Sequence, residues 1–327
     1  MQSGTRVAAV QAASVFLDID ASIDKACALI ADAGRLGAKI IGFPESFVPG
    51  HPIWFRHIVA DSLRARQFAV RLFENAVEVP GRHTERLAKA AADAGAYVTV
   101  GICERVRGSL GTLYNSVITF DDRGELVGHH RKIMPTGTER LVHTAGSGAG
   151  LRVIPTDYGP IGALICGEHT NSFARLTLLL QGERIHLAAW PPFTVGANTG
   201  PASIDIRSRA HAYEGRMYVV NAAGVIDDAT LDLLGVDRDD ESVISRGGHS
   251  SIVGPDGMFL AGPVDDEETI LTADVDFRDI VEKKVIQDLT GHYNRFDLFK
   301  LVVSPSEGSG LEWQDPAASG DGAERTL

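Results

Sequence analysis

The chain has 327 residues, 44% of them hydrophobic, and a formal charge of -12 at pH 7. That apolar share is enough for one large core or two smaller ones. The acidic balance argues against a nucleic-acid partner, because no basic patch is available to neutralise phosphates. No apolar run approaches the roughly 20 residues that span a bilayer. The start, MQSGTRVAAVQA, lacks the basic region and long apolar stretch of a secretion signal. A cytoplasmic protein without a membrane partner is therefore expected.

Strands and helices alternate along the chain. Residues 6–12 are predicted as a strand, and 20–36 as a helix with Ile23, Ala26, Cys27 and Ile30 on one face. A short strand over 39–43 follows, then helices over 60–75 and 84–94. Strands are predicted over 97–104 and 116–121, the latter running into the turn Asp121-Asp122-Arg123-Gly124. A further strand runs from about Leu126 to Lys132, and 161–165 reads as a buried one. Phe173, Leu176 and Leu180 then recur at helical spacing, behind three capable N-caps, Thr170, Asn171 and Ser172. Strands over 185–190 and 217–222 flank a helix over 204–214, and strands over 250–253 and 258–261 flank the turn Pro255-Asp256-Gly257. This alternation implies an α/β sandwich with both sheet faces covered. From about Ser304 the composition turns to Gly, Ser, Pro and acids, which predicts a mobile tail with Trp313 against a surface.

Three segments carry candidate chemistry. In IGALICGEHTNSFARL, Cys166 stands between an apolar strand and a helix, where unpaired N–H groups and the helix dipole favour the thiolate. A cysteine in that position is equally a small core residue. In KIIGFPESFVPG, Glu45 follows an apolar strand among Phe43, Phe47 and Val48; desolvation there raises a carboxyl pKa toward that of a general base. The alternative is a solvated loop glutamate. In GHHRKIMPTGTER, Lys132 ends a strand and is placed either to stabilise an anion or to protect a sheet edge.

Other sites find little support. Eleven histidines contain no H-E-x-x-H, and three cysteines contain no C-x-x-C. Adjacent His129 and His130 face opposite ways on a strand and do not readily share a metal. GSGAG at 146–150 precedes a strand-like LRVI rather than opening a helix, so it reads as a turn. No G-x-S-x-G elbow is present. Cys27 and Cys103 are read as core thiols. No metal or cofactor is expected.

Together GFPESFVPG, HRKIMPTGTER and LICGEHTNSFARLTLLLQGERIHLAAWPPF resemble the nitrilase family of the carbon–nitrogen hydrolase superfamily, with further agreement in YNSVITFDDRGELVGHHRK, GGHSSIVGPDG and GHYNRFDLF. The resemblance runs from Val7 to about Val303. It implies a four-layer α-β-β-α sandwich in one domain, residues 1–303, followed by the tail, 304–327. It also implies a homo-oligomer, a dimer or larger and in some relatives a spiral, although this tail is short for long filaments. It makes Glu45, Lys132 and Cys166 a catalytic triad and Glu139 a second glutamate that orients Lys132 or relays protons. It places Trp190 and Pro191 near the acyl group of a small-molecule nitrile. His169 and Asn171 are further pocket candidates or merely helix caps, and Trp54 is a pocket wall or merely packing. Two positions depart from the family: Gly167 and His143 stand where tryptophan is common. Gly167 is expected to enlarge or loosen the pocket. The activity implied is hydrolysis of a nitrile to acid and ammonia. Amide or carbamoyl hydrolysis with the same triad is the alternative, and a non-catalytic scaffold is disfavoured because all three residues are kept.

Overall fold

Alternation along the first strand sets the layering. In β1 (Gly4–Gln11), Ala8 and Val10 enter one apolar cluster while Val7 and Ala9 enter another. Successive strand residues point to opposite faces, so a strand buried on both faces reads as an unbroken apolar run. The computed structural model describes residues 4–193, 200–236 and 246–306. Within them β1 belongs to a six-stranded sheet with β2 (Ile40–Gly42), β3 (Tyr97–Arg105), β4 (Leu113–Phe120), β5 (Leu126–Arg131) and β11 (Thr269–Asp276), in the order β11-β1-β2-β3-β4-β5. A five-stranded sheet contains β6 (Ile161–Ile165), β7 (Ile185–Trp190), β8 (Tyr218–Ala223), β9 (Gly248–Val253) and β10 (Phe259–Asp265), in the order β10-β9-β8-β7-β6.

The two sheets face each other across Val7, Ala9, Ile40, Ile185, Leu187, Tyr218 and Val220. Outside the first sheet lie α1 (Ile19–Arg35) and α3 (Arg82–Ala94), which bury Ile23, Ala26, Ile30, Leu87 and Ala91 on it, while α2 (Leu63–Glu74) between them buries Ala65, Phe68 and Leu72 beside Trp54. Outside the second lie α4 (Ser172–Leu180) and α5 (Gly200–Gly215), which bury Leu178, Leu179, Ile204 and Ala212. The expected four-layer α-β-β-α sandwich is the architecture observed. No helix of the described residues is long and apolar enough to cross a membrane.

Among the described strands and α-helices, three have no counterpart in the sequence reading: α6 (Asp228–Leu234), β11 and α7 (Phe277–Ile286). β11 pairs antiparallel with β1 over its whole length, from Gly4 opposite Asp276 to Gln11 opposite Thr269. It lies at the sheet edge and is mostly half-buried, so its apolar signal is weak. α7 buries only Phe277 and Ile280. The predicted tail lies outside the described residues from 307 on, Trp313 included.

The face of α4 also differs from expectation. Ala174, Leu178 and Leu179 are buried, whereas Phe173 is 68% exposed and Leu180 40%. SFARLTLLL is apolar on both sides, so periodicity alone does not choose the inward face. Asn171 is the N-cap, its Oδ1 accepting from Phe173 N at 3.0 Å and Ala174 N at 3.2 Å. Asn171→Ala is therefore expected to cost about 1 kcal/mol of stability in a denaturant titration and to leave KM unchanged. A raised KM with unaltered stability would return Asn171 to the pocket.

Candidate active site

β2, β5 and β6 each end in a residue singled out above. Glu45 follows β2 by three residues, Lys132 follows β5 directly, and Cys166 follows β6 directly. The first two come from one sheet and the third from the other. Glu45 crosses between them, because its backbone N–H donates to Trp190 O on β7 at 3.2 Å.

Lys132 is the electrostatic centre of the group. Its Nζ lies 2.7 Å from Glu45 Oε1 and 2.6 Å from Glu139 Oε1, and all three side chains are buried. Burial works against its charge, but the Glu45 and Glu139 carboxylates outweigh that and hold its pKa above the ordinary lysine value. Burial raises the Glu45 carboxyl, and the Glu139 charge adds to this against the pull of Lys132, leaving it at about 7. Glu139 goes the other way: burial is outweighed by the adjoining His143 ring and the charge of Lys132, and its pKa lies below the carboxylate range. Two carboxylates on one ammonium are thus split into a strong acid and a base poised near neutrality.

Asn115 spans the pair. Its Nδ2 donates to Glu45 Oε1 at 2.6 Å and to Glu139 Oε2 at 3.0 Å, while Ser46 Oγ donates to its Oδ1 at 3.2 Å. Glu45 Oε2 is buried and has no hydrogen-bond partner among the described residues. It is the oxygen left free to accept a proton. Glu139 Oε1 also accepts from Thr136 N.

Cys166 follows β6 in the left-handed region, φ 46°, a conformation that costs a non-glycine residue of order 1–3 kcal/mol. The thiolate expected from a helix N-terminus is not what the structure holds. A short 3-10 turn, Cys166–Thr170, intervenes, and α4 begins only at Ser172. Burial, with the Glu45 charge, pushes the thiol above its ordinary pKa in spite of Lys132. The resting sulfur is a neutral thiol within electrostatic reach of Glu45, Lys132 and Glu139.

Glu168 ties the lysine and cysteine strand ends together. Its carboxylate accepts from Ile133 N at 2.7 Å and Ile165 N at 2.8 Å, and His130 Nε2 lies 3.0 Å away. His129 instead faces Glu104 at 2.7 Å, so the two neighbouring histidines do part to different carboxylates. His143 packs behind Glu139, with Nδ1 3.7 Å from Glu139 Oε2 and Nε2 3.3 Å from Cys103 Sγ. Cys103 is buried, and burial raises its thiol, so it donates to the ring.

The pocket candidates divide from the triad. Trp54 is fully buried against Phe16, Phe55 and Phe68, stacked on the last at 5.6 Å. Trp190 is fully buried, donates Nε1–H to Asn221 Oδ1 at 3.0 Å and stacks on His169 at 4.6 Å. His169 is buried behind Cys166, with Nδ1 2.8 Å from Cys166 O. Pro191 is buried at the end of β7, and Asn171 is the cap described above. Sequence reasoning missed Asn115, Glu168, Ser46 and Thr136. For Asn115 the signal was present: a short polar amide in an apolar strand that begins at Leu113 rather than at Ser116.

The carbon–nitrogen hydrolase profile matches residues 6–284. The chain belongs to the carbon–nitrogen hydrolase family. Among curated members it is 36% identical over 309 residues to Nitrilase 2 of an unknown prokaryotic organism, covering 93% of this chain and 94% of that one. It is 36% identical to a nitrilase of Pseudomonas syringae pv. syringae (94% and 91% covered) and 37% identical to an aliphatic nitrilase of Rhodococcus rhodochrous (90% and 81% covered). Among solved members of the fold it is similar to a carbon–nitrogen hydrolase from Helicobacter pylori G27, with a TM-score of 0.69 at 20% identity, covering 90% of this chain and 96% of that one. Saccharomyces cerevisiae Nit3, a member of branch 10 of the nitrilase superfamily, gives 0.67 at 22% identity, with 88% and 96% covered.

In this family member the glycine after the cysteine does not open space. A Cβ on Gly167 would lie 2.3 Å from Thr136 Oγ1 and 3.3 Å from its Cβ and Cγ2. The space a Cβ would need at 167 is held by Thr136, so the glycine serves close packing against the Lys132 loop. Gly167→Ala is expected to cost about 1–3 kcal/mol from overpacking, and Thr136→Ala to relieve it. A double-mutant cycle on the denaturation midpoint checks this; additive costs would mean that the two residues do not meet.

Proposed function

We propose that the chain is a nitrilase, hydrolysing a small-molecule nitrile to the carboxylic acid and ammonia with Cys166 as nucleophile, Glu45 as base, Lys132 as anion stabiliser and Glu139 as the group that holds Lys132. The observation that carries this reading is the buried Glu45–Lys132–Glu139 cluster around a neutral thiol, with one Glu45 oxygen left free. The nitrilase names of relatives at 36–37% identity over nine-tenths of the chain support it.

The chemistry follows from the protonation states. Glu45 Oε2 takes the proton as the Cys166 sulfur bonds to the nitrile carbon, so no free thiolate has to persist in a buried site. Negative charge moves to the nitrile nitrogen, where Lys132 and the Gly167 N–H stabilise it. Glu45 passes the thiol proton on to that nitrogen, which gives the neutral thioimidate and restores the carboxylate. Water, deprotonated by Glu45, adds to the carbon, ammonia leaves, and a thioester remains. A second water releases the acid and returns the proton to sulfur. An amidase enters the same sequence at the tetrahedral stage, and that is the alternative reading.

A cytoplasmic location and a homo-oligomer belong to the same proposal. Exposed apolar side chains support association: Phe173 on α4, Ile206 on α5, and Phe296, Leu298, Phe299 and Val302 after α7.

A panel of aliphatic, aromatic and arylacetonitriles beside their amides, with ammonia and acid quantified, tests the activity. Turnover of nitriles, lost in Cys166→Ala, is the expected result; turnover of amides alone would favour the alternative. A second expectation concerns pH. A carboxyl raised to about 7 accepts protons only above that value, so kcat/KM should fall on the acid side with a midpoint near 7. Glu139→Gln removes a negative charge that raises Glu45, so in that slower variant the midpoint should move to lower pH. Movement to higher pH in the rate profile would contradict the assignment of Glu45 as base.

A further inference from the structure

A second set of titratable groups, distinct from Glu45, Lys132 and Glu139, is fully buried around the peptide that follows Cys166. His169 Nδ1 lies 2.8 Å from Cys166 O, and His169 Nε2 lies 2.9 Å from His186 Nε2. His186 Nδ1 lies 2.6 Å from Glu183 Oε1, and His211 Nε2 lies 3.6 Å from Glu183 Oε2. The four side chains are all but excluded from solvent. Gly162, opposite His186 in the β6–β7 register, gives the carboxyl its place, since a Cβ there would lie 2.0 Å from Glu183 Oε1.

The direction of each proton follows from one end. A carbonyl only accepts, so His169 Nδ1 carries hydrogen and donates to Cys166 O. The neutral His169 then presents a lone pair at Nε2, and His186 must donate to it from Nε2. A neutral His186 is left with a lone pair at Nδ1, so Glu183 must donate to it as the protonated acid. Burial acts the same way, raising Glu183 and lowering His186 to about 3 and His169 well below the histidine range. Glu183 Oε2 has no hydrogen-bond partner among the described residues, a state that a neutral carboxyl tolerates far better than a carboxylate.

Glu183, His186 and His211 also have the composition of a metal site. The 2.6 Å between Glu183 Oε1 and His186 Nδ1 argues against one. Ligands on a tetrahedral ion with bonds of about 2.0–2.1 Å stand about 3.3 Å apart. The shorter distance is that of a hydrogen bond.

The far end of the chain gives it a function. In a trans peptide the N–H points opposite to the carbonyl. Gripping Cys166 O therefore fixes the direction of the Gly167 N–H, and polarising that carbonyl strengthens the N–H as a donor. Gly167 also packs against Thr136 of the Lys132 loop, so the peptide is held from both sides. We infer that His169, His186 and protonated Glu183 are positioning residues that aim the Gly167 N–H at the nitrogen of the attacked nitrile. This rests on the reading of Cys166 as nucleophile.

Four variants and one spectrum test it. A side-chain amide can donate to His186 as the acid does, so Glu183→Gln should keep kcat within about threefold. Glu183→Leu, and His169→Phe, which retains a ring on Trp190, should each lower kcat by about 10²–10³, the loss typical of one oxyanion donor, with KM changed less than about threefold. Glu183→Asp, too short to reach His186, replaces Glu183→Leu if that variant fails to fold. In ¹⁵N-histidine NMR of the whole enzyme at pH 7, His186 should be neutral and unprotonated at Nδ1. Normal kcat in His169→Phe, equal damage from Glu183→Gln and Glu183→Leu, an imidazolium at His186, or a stoichiometric metal in elemental analysis would each overturn the inference. Activity surviving in Cys166→Ala would instead sink the nucleophile assignment, whatever the histidine variants do.

Discussion

The constraint on which the structure depends is a single ammonium shared by two buried carboxylates. Lys132 Nζ stands within 2.7 Å of both Glu45 and Glu139, and none of the three meets solvent appreciably. Taking such charges out of water costs several kcal/mol per ion even after relaxation, and only close pairing with further hydrogen bonds offsets it. The surroundings supply those bonds unequally. Glu139 keeps Thr136 N–H and Asn115 beside Lys132, whereas Glu45 has one oxygen served by Lys132 and Asn115 and the other by nothing. The inequality, rather than the identity of the residues, sets one carboxyl low and raises the other.

That arrangement demands that strand ends from two sheets stay in register within fractions of an ångström. Buried polar residues set between the strands do this. Asn115 on β4 links Glu45 to Glu139; Glu168 links the residue after Lys132 to the residue before Cys166; Glu45 N–H reaches across to Trp190 O. Each of them closes a pair of backbone or charged groups that would be orphaned if the sheets slid, so the hydrogen bonds resist sliding in a way that apolar packing, which has no direction, does not. The apolar layers bring the sheets together, and the polar bridges fix where they stop.

Much of this was legible from the chain. β6 and β7 fell on their observed bounds because strands buried on both faces are unbroken apolar runs between turns. Glu45, Lys132 and Cys166 stood out because polar or reactive residues closed such runs. What was not legible had a different physical character. Trp54, Trp190 and His169 are aromatic residues near the site in sequence, and sequence alone does not say whether an aromatic face meets a ligand or a neighbour; here all three meet neighbours. Glu168 looked like an ordinary polar residue, and Asn115, although conspicuous in an apolar strand, gave no sign of what it binds, because their partners lie 24 to 70 positions away or are backbone groups. The edge elements β11 and α7 bury too little to leave a clear period.

The two departures from the family pattern show why a pocket cannot be inferred one position at a time. Removing a side chain beside Cys166 enlarges a site only if nothing else moves in, and at Gly167 the methyl and hydroxyl of Thr136 already hold the space of a Cβ. His143, in a place where tryptophan is common, does not simply leave a smaller wall. Its ring takes the Cys103 thiol at Nε2 and brings Nδ1 to 3.7 Å from Glu139, and that adjoining ring is one of the reasons the Glu139 pKa stays low. Close packing makes each position answerable to its neighbours. A change of residue beside Cys166 or behind Lys132 is therefore a change of partner set, and its effect is decided by the side chain that takes up the space or the proton.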